Sequence, residues 1–196
     1  MSALPRVYYS QQDYLEYERK ATYKSEYFQG EIFAMAGASR NHNRITENLS
    51  ISIGGYLRGK RCQTFSSDMR VHIPANTLYT YPDVVIVCGE PQFIEDEALD
   101  TLLNPVVIIE VLSPSTGGYD KDSKFSLYRS IPTFREYIMV DSSRIHAEVW
   151  FKPENGFWTL RQETEEIKVS LYVHTIDFTL PLTDVYALTQ DLTPAS

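Results

Sequence analysis

The run Val106-Val107-Ile108-Ile109-Glu110-Val111-Leu112 constrains this chain more than any other stretch. Nearly unbroken β-branched and aliphatic residues describe a central strand covered on both faces. Side chains alternate along a strand, so Val106, Ile108, Glu110 and Leu112 share one face and Val107, Ile109 and Val111 the other. A carboxylate on such a strand is costly to bury unless it is paired or holds a metal. Glu110 is therefore the first candidate site residue. The alternative is a glutamate at the strand's exposed end, bridged to an arginine.

The rest of the chain supplies a frame for that strand. Ser10 followed by Asp13 is a capping signal, and predicts a helix from there to about Ala21. Gln29-Gly30 between two short apolar runs predicts a hairpin. Ser39 caps a helix over residues 40–58, with Ile45, Leu49, Ile53, Tyr56 and Leu57 on one stripe and His42 in line with it. Residues 65–73 alternate as one half-buried strand, with Asp68, Arg70 and His72 outward. Pro82-Asp83 opens a second central strand, Val84-Val85-Ile86-Val87. Residues 120–131 suit a helix, 137–140 a further apolar strand, and Glu154-Asn155-Gly156 turns a C-terminal hairpin. Helices on a mixed sheet make an α/β or α+β domain.

Bulk properties narrow the function classes. A chain of 196 residues is long enough for a substantial core in one domain. No apolar run follows the first six residues, and none in the chain approaches the roughly 20 residues of a membrane helix. Two cysteines, Cys62 and Cys88, suggest neither a disulfide framework nor a zinc site. They read as reduced thiols in a cytoplasmic protein. The net charge of −8 opposes a general nucleic-acid surface, but Arg40, Arg44, Arg58, Lys60, Arg61 and Arg70 concentrate positive charge within residues 40–70.

Two further residues complete a chemical constellation. Asp83 starts its strand with the parity of Val85 and Val87. Two carboxylates on neighbouring strands suit Mg²⁺, which prefers oxygen ligands and keeps several waters. Lys124 lies on the apolar face of its helix with Asp120, Lys121, Leu127, Tyr128 and Ile131. It either snorkels to the rim or points into a site, where it stabilises developing phosphate charge.

Tyr81-Pro82-Asp83-Val84 followed by Ile109-Glu110-Val111-Leu112 resembles the paired motifs of the PD-(D/E)XK nuclease superfamily. More closely, Glu110 to Thr116, Asp120, Lys124-x-x-x-Tyr128, Pro132 and Glu136-Tyr137 up to Asp141 are similar to the Uma-type family of restriction-endonuclease-like proteins. Gln29-Gly30-Glu31-Ile32, Ala34-Met35, Gly37 and His42 fit the same family, over about residues 8–186.

The resemblance implies a restriction-endonuclease-like core at about residues 39–141, a mixed central sheet flanked by helices. A helix and hairpin at residues 10–37 and a β-hairpin region at 145–186 would complete a single domain over 1–196. It implies Mg²⁺ or Mn²⁺ as cofactor, no organic cofactor, DNA as substrate, and a homodimer. Asp83 and Glu110 would hold the metal and Lys124 would assist catalysis. The superfamily lysine stands two residues after the glutamate, where this chain has Leu112. In relatives that lysine migrates to the following helix, which points to Lys124 with Lys121 in reserve. Glu31 and His42 are further candidates; their alternatives are an exposed strand residue and an ordinary helix-start histidine. Glu47, the only carboxylate on the 40–58 helix, faces away from the stripe.

Two rival readings remain in the sequence. One is a catalytically silent module that kept the fold and binds nucleic acid or protein. The other is a two-carboxylate hydrolase such as a glycosidase, whose carboxyls stand roughly 5–9.5 Å apart. No G-x-S-x-G motif and no Gly-Lys-Ser/Thr phosphate loop occurs.

Overall fold

The structure is a computed structural model that describes residues 7–94, 100–113 and 123–193. Helix α1 (Gln11–Glu18) starts at a reciprocal capping box between Ser10 and Asp13. Strands β1 (Ser25–Phe28) and β2 (Glu31–Ala34) follow as a hairpin. Its two turn residues, Gln29 and Gly30, both have positive φ (48° and 91°), the turn geometry that matches strand twist. A φ of 91° at residue 30 lies where side chains are rarely tolerated, and a Cβ there would also meet the Tyr8 ring, so glycine suits the position.

Helix α2 (Arg40–Leu57) buries Ile45, Leu49, Ile53 and Leu57. Each such side chain contributes about 1.5–3 kcal/mol of hydrophobic stabilisation. The chain then runs through β3 (Cys62–Ser66), β4 (Arg70–Ile73), β5 (Leu78–Thr80), β6 (Val84–Cys88), β7 (Phe93–Ile94), β8 (Thr101–Leu102) and β9 (Val107–Leu112). A short helix α3 (Phe125–Tyr128) precedes β10 (Glu136–Asp141), β11 (Ala147–Phe151) and β12 (Thr159–Thr164). The strand pair β13 (Ser170–Val173) and β14 (Phe178–Pro181) leads into α4 (Leu182–Val185).

Two sheets pack together. The main sheet has the order β12-β11-β10-β9-β6-β3, with β9 and β10 parallel and its other pairs antiparallel. The second has the order β2-β1-β5-β4-β8-β7. Val107, Ile109 and Val111 of β9 face α2, α4 and the β13–β14 pair in one core. Ile108 and Leu112 face the second sheet and α3, meeting Val71, Leu78, Phe125 and Tyr128. The expected alternation of β9 is observed, and Glu110 falls on the second face. The fold is the mixed α+β arrangement expected, with β hairpins flanking the central strands.

Three expectations need correction. Residues 65–73 are not one strand: β3 belongs to the main sheet and β4 to the second, and the chain crosses between them after Ser66. All four residues of β4 are buried, so Arg70 and His72 do not face solvent. Side chains from distant segments cover them, invisible to local alternation: Tyr79 stacks on the His72 ring and Thr101 accepts from Arg70 Nε. Cys62 and Cys88 are joined in a disulfide rather than reduced, because the β3–β6 register sets them directly opposite each other. The compartment argument drawn from free thiols falls with it. The helix expected over 120–131 is described from Lys124 as its N-cap; residues 120–122 lie outside the described residues. Among those described, no helix is long and apolar enough to cross a membrane.

Candidate metal and catalytic centre

The β6–β9 register pairs Val84 with Ile109, which brings Asp83, one residue earlier, alongside Glu110. The Asp83 amide lies 3.4 Å from Glu110 Oε2, and Asp83 Oδ2 accepts the Val111 N–H at 2.8 Å. The two carboxylates thus belong to one cross-strand position.

His42 joins from the opposite layer. Ser39 caps α2 by accepting the His42 N–H, which fixes the first turn and sets His42 over the end of β6. Its Nε2 is 3.3 Å from Asp83 Oδ2, while its buried Nδ1 has no hydrogen-bond partner among the described residues.

Glu110 is 4% exposed and Lys124 5% exposed. Lys124 Nζ stands 3.6 Å from Glu110 Oε1, so this lysine points inward rather than snorkelling. It is held at 2.8 Å by Glu26 Oε1, from β1 of the second sheet. Glu26 in turn accepts a hydrogen bond from Thr80 of β5. Tyr128 donates to Glu110 Oε1 at 2.7 Å. Burial, reinforced by the charge of Glu110, pushes the Tyr128 phenol well above its usual range, so it keeps its proton and remains a donor.

The structure therefore brings Asp83, Glu110, Lys124 and His42 together. Glu31 opens β2 opposite Phe28, beside the hairpin turn, and the carboxylate which that hairpin delivers to Lys124 is Glu26. Glu47 forms an ion pair with Arg44 on the outer side of α2. Lys121 and residues 114–116 of the Ser-Pro-Ser-Thr segment lie outside the described residues. Glu26 was the residue missed. Its signal was a carboxylate sharing strand parity with Phe28, but the partner strand β5 is more than fifty residues distant. Asp83 and Glu110 offer hard oxygen donors from adjacent strand positions, a donor type that fits Mg²⁺ or Mn²⁺.

Two packed sheets, with Asp83 and Glu110 at paired positions of adjacent central strands, make a mixed α+β protein. The solved structure titled as a "putative nuclease belonging to DUF820" from Anabaena variabilis ATCC 29413 superposes with a TM-score of 0.72. It covers 91% of this chain and 98% of that one at 16% identity. Residues 11–183 match the Uma2 family, described as "Putative restriction endonuclease". The uncharacterized protein sll1609 of Synechocystis sp. (strain ATCC 27184 / PCC 6803 / Kazusa) is 41% identical over 161 residues, covering 81% of this chain and 90% of that protein. A second protein of that organism, slr1290, is 34% identical over 174 residues, 85% of this chain and 90% of that protein. The chain belongs to the Uma2 family.

Proposed function

We propose that the protein is a divalent-metal-dependent endonuclease that hydrolyses DNA phosphodiester bonds at the Asp83–Glu110 centre. One observation carries this reading: a carboxylate pair on adjacent central strands with a buried ammonium 3.6 Å from the second carboxylate. Family membership and the fold similarity support it.

Asp83 and Glu110 are the residues to hold Mg²⁺ or Mn²⁺. When bound, such an ion activates a water and offsets phosphate charge. The Val111 N–H and His42 fix the Asp83 carboxylate, and Tyr128 fixes that of Glu110. Glu26 anchors Lys124, so its ammonium is preorganised beside the reacting phosphate, where it stabilises negative charge as it develops. The departure at Leu112 is met by this lysine from the following helix. Arg40 and Arg44 begin α2 next to His42, and give the acidic chain a local positive border for a phosphate backbone. Cutting both strands of a duplex suits a two-fold symmetric dimer.

The test is nicking of supercoiled plasmid with Mg²⁺ or Mn²⁺. Wild type nicks; Asp83→Ala and Glu110→Ala do not. Full activity in either variant removes the assignment. DNA binding indifferent to EDTA, with no cleavage under any metal, identifies a silent binding module instead.

A further inference from the structure

A second group of metal-ligating side chains lies on the same sheet face. The β9–β10 register pairs Glu110 with Met139, the β10–β11 register pairs Met139 with Glu148, and the β11–β12 register pairs Glu148 with Glu163. These residues form one row across the sheet. At about 4.8 Å per strand, Glu148 stands about 10 Å from Glu110.

His146, two residues before Glu148, projects to the same side. Its Nε2 is 3.2 Å from Glu163 Oε1 and 3.9 Å from Glu148 Oε1, and the ligand atoms of all three lie within 4.8 Å of one another. The longer separation exceeds a hydrogen bond. One imidazole nitrogen thus faces two carboxylates, hydrogen-bonded to Glu163 and further from Glu148.

The ligands are built into the fold. His146 is 7% exposed and Glu148 2% exposed. The His146 amide donates to the Tyr186 hydroxyl, and its carbonyl accepts from that hydroxyl and from the Asp141 N–H. The Trp150 indole N–H holds Glu148 Oε2, turning Oε1 toward the imidazole. Glu163 has a side chain 53% exposed, which gives an ion a path from solvent.

We infer that His146, Glu148 and Glu163 form a second cation site, separate from the Asp83–Glu110 centre, selective for a zinc-class transition metal. An imidazole with two carboxylates suits Zn²⁺, whereas Mg²⁺ prefers oxygen ligands alone. Three protein ligands leave a coordination position for water. The inference does not depend on nuclease activity.

Equilibrium dialysis of the full chain against Zn²⁺ tests it, in an Asp83→Asn/Glu110→Gln background that removes the first centre. That chain is expected to retain one equivalent of Zn²⁺. Adding His146→Ala or the surface change Glu163→Gln lowers affinity by about 10-fold or more, as loss of a ligand requires. In the otherwise wild-type chain with excess Mg²⁺, one Zn²⁺ equivalent persists and Glu163→Gln weakens its binding to the same extent. No Zn²⁺ bound in either setting, or binding unchanged by both substitutions, overturns the site. Plasmid nicking, measured separately, reports on the first centre alone.

Discussion

Lys124 offers the sharpest test of how the centre is held together. Its ammonium lies 2.8 Å from Glu26 and 3.6 Å from Glu110, and the residue is almost fully buried. Lys124→Met keeps the apolar stem and removes only the charge. The change takes the cation from between two buried carboxylates. Breaking a buried ion pair from one side costs about 3–5 kcal/mol. A domain has roughly 5–15 kcal/mol of total stability, so the variant folds with a much reduced margin. Urea unfolding reads this as a lower midpoint at unchanged slope. Adding Glu26→Gln neutralises one of the two carboxylates and recovers part of the loss, a coupling of at least about 1 kcal/mol. If Lys124→Met falls within about 0.5 kcal/mol of wild type, the lysine behaves as a solvated surface charge and the reasoning is wrong.

Other outcomes follow from single features. Burial holds His72 below its usual value of 6.5, partly opposed by its contact with the Leu78 carbonyl. Burial disfavours its charged form in the folded state, so its contribution is present above pH 6.5 and is lost as pH falls below it. Denaturant midpoints at about pH 7.5 and about pH 5 should converge in His72→Gln relative to wild type. The Cys62–Cys88 disulfide spans 26 residues, and its removal in Cys62→Ser/Cys88→Ser should cost about 3–4 kcal/mol in urea unfolding. Tyr186 places its hydroxyl among Asp141, Arg144 and His146 backbone groups. Tyr186→Phe should lower thermal stability by about 1–3 kcal/mol and weaken Zn²⁺ binding at His146.

Much of the centre was legible because it lies on elements with strong local periodicity. Glu110 interrupts a buried β-branched run, Asp83 starts the neighbouring one, and His42 and Lys124 sit on apolar helix stripes. Local pattern therefore singled these residues out, while leaving open whether Lys124 snorkels to the rim or points inward. What escaped depends on pairing between distant segments. Glu26 meets Lys124 only because β1 joins β5, and β5 itself is three residues long. The break between β3 and β4 falls at Ser66-Ser67-Asp68, a turn-prone cluster overridden by alternation that continues across the change of sheet. The cysteine pairing follows from the β3–β6 register, which no spacing rule supplies. The row Glu110–Met139–Glu148–Glu163 spans four strands, and so exists only once the sheet order is known.

A crystal grown with Mn²⁺ under conditions that support nicking puts the central claim to its most direct trial. An anomalous peak bound by both Asp83 and Glu110 carboxylates, with the Lys124 ammonium alongside, is the predicted result. Density for Mn²⁺ absent from that pair while cleavage proceeds, or present only at His146, Glu148 and Glu163, contradicts it.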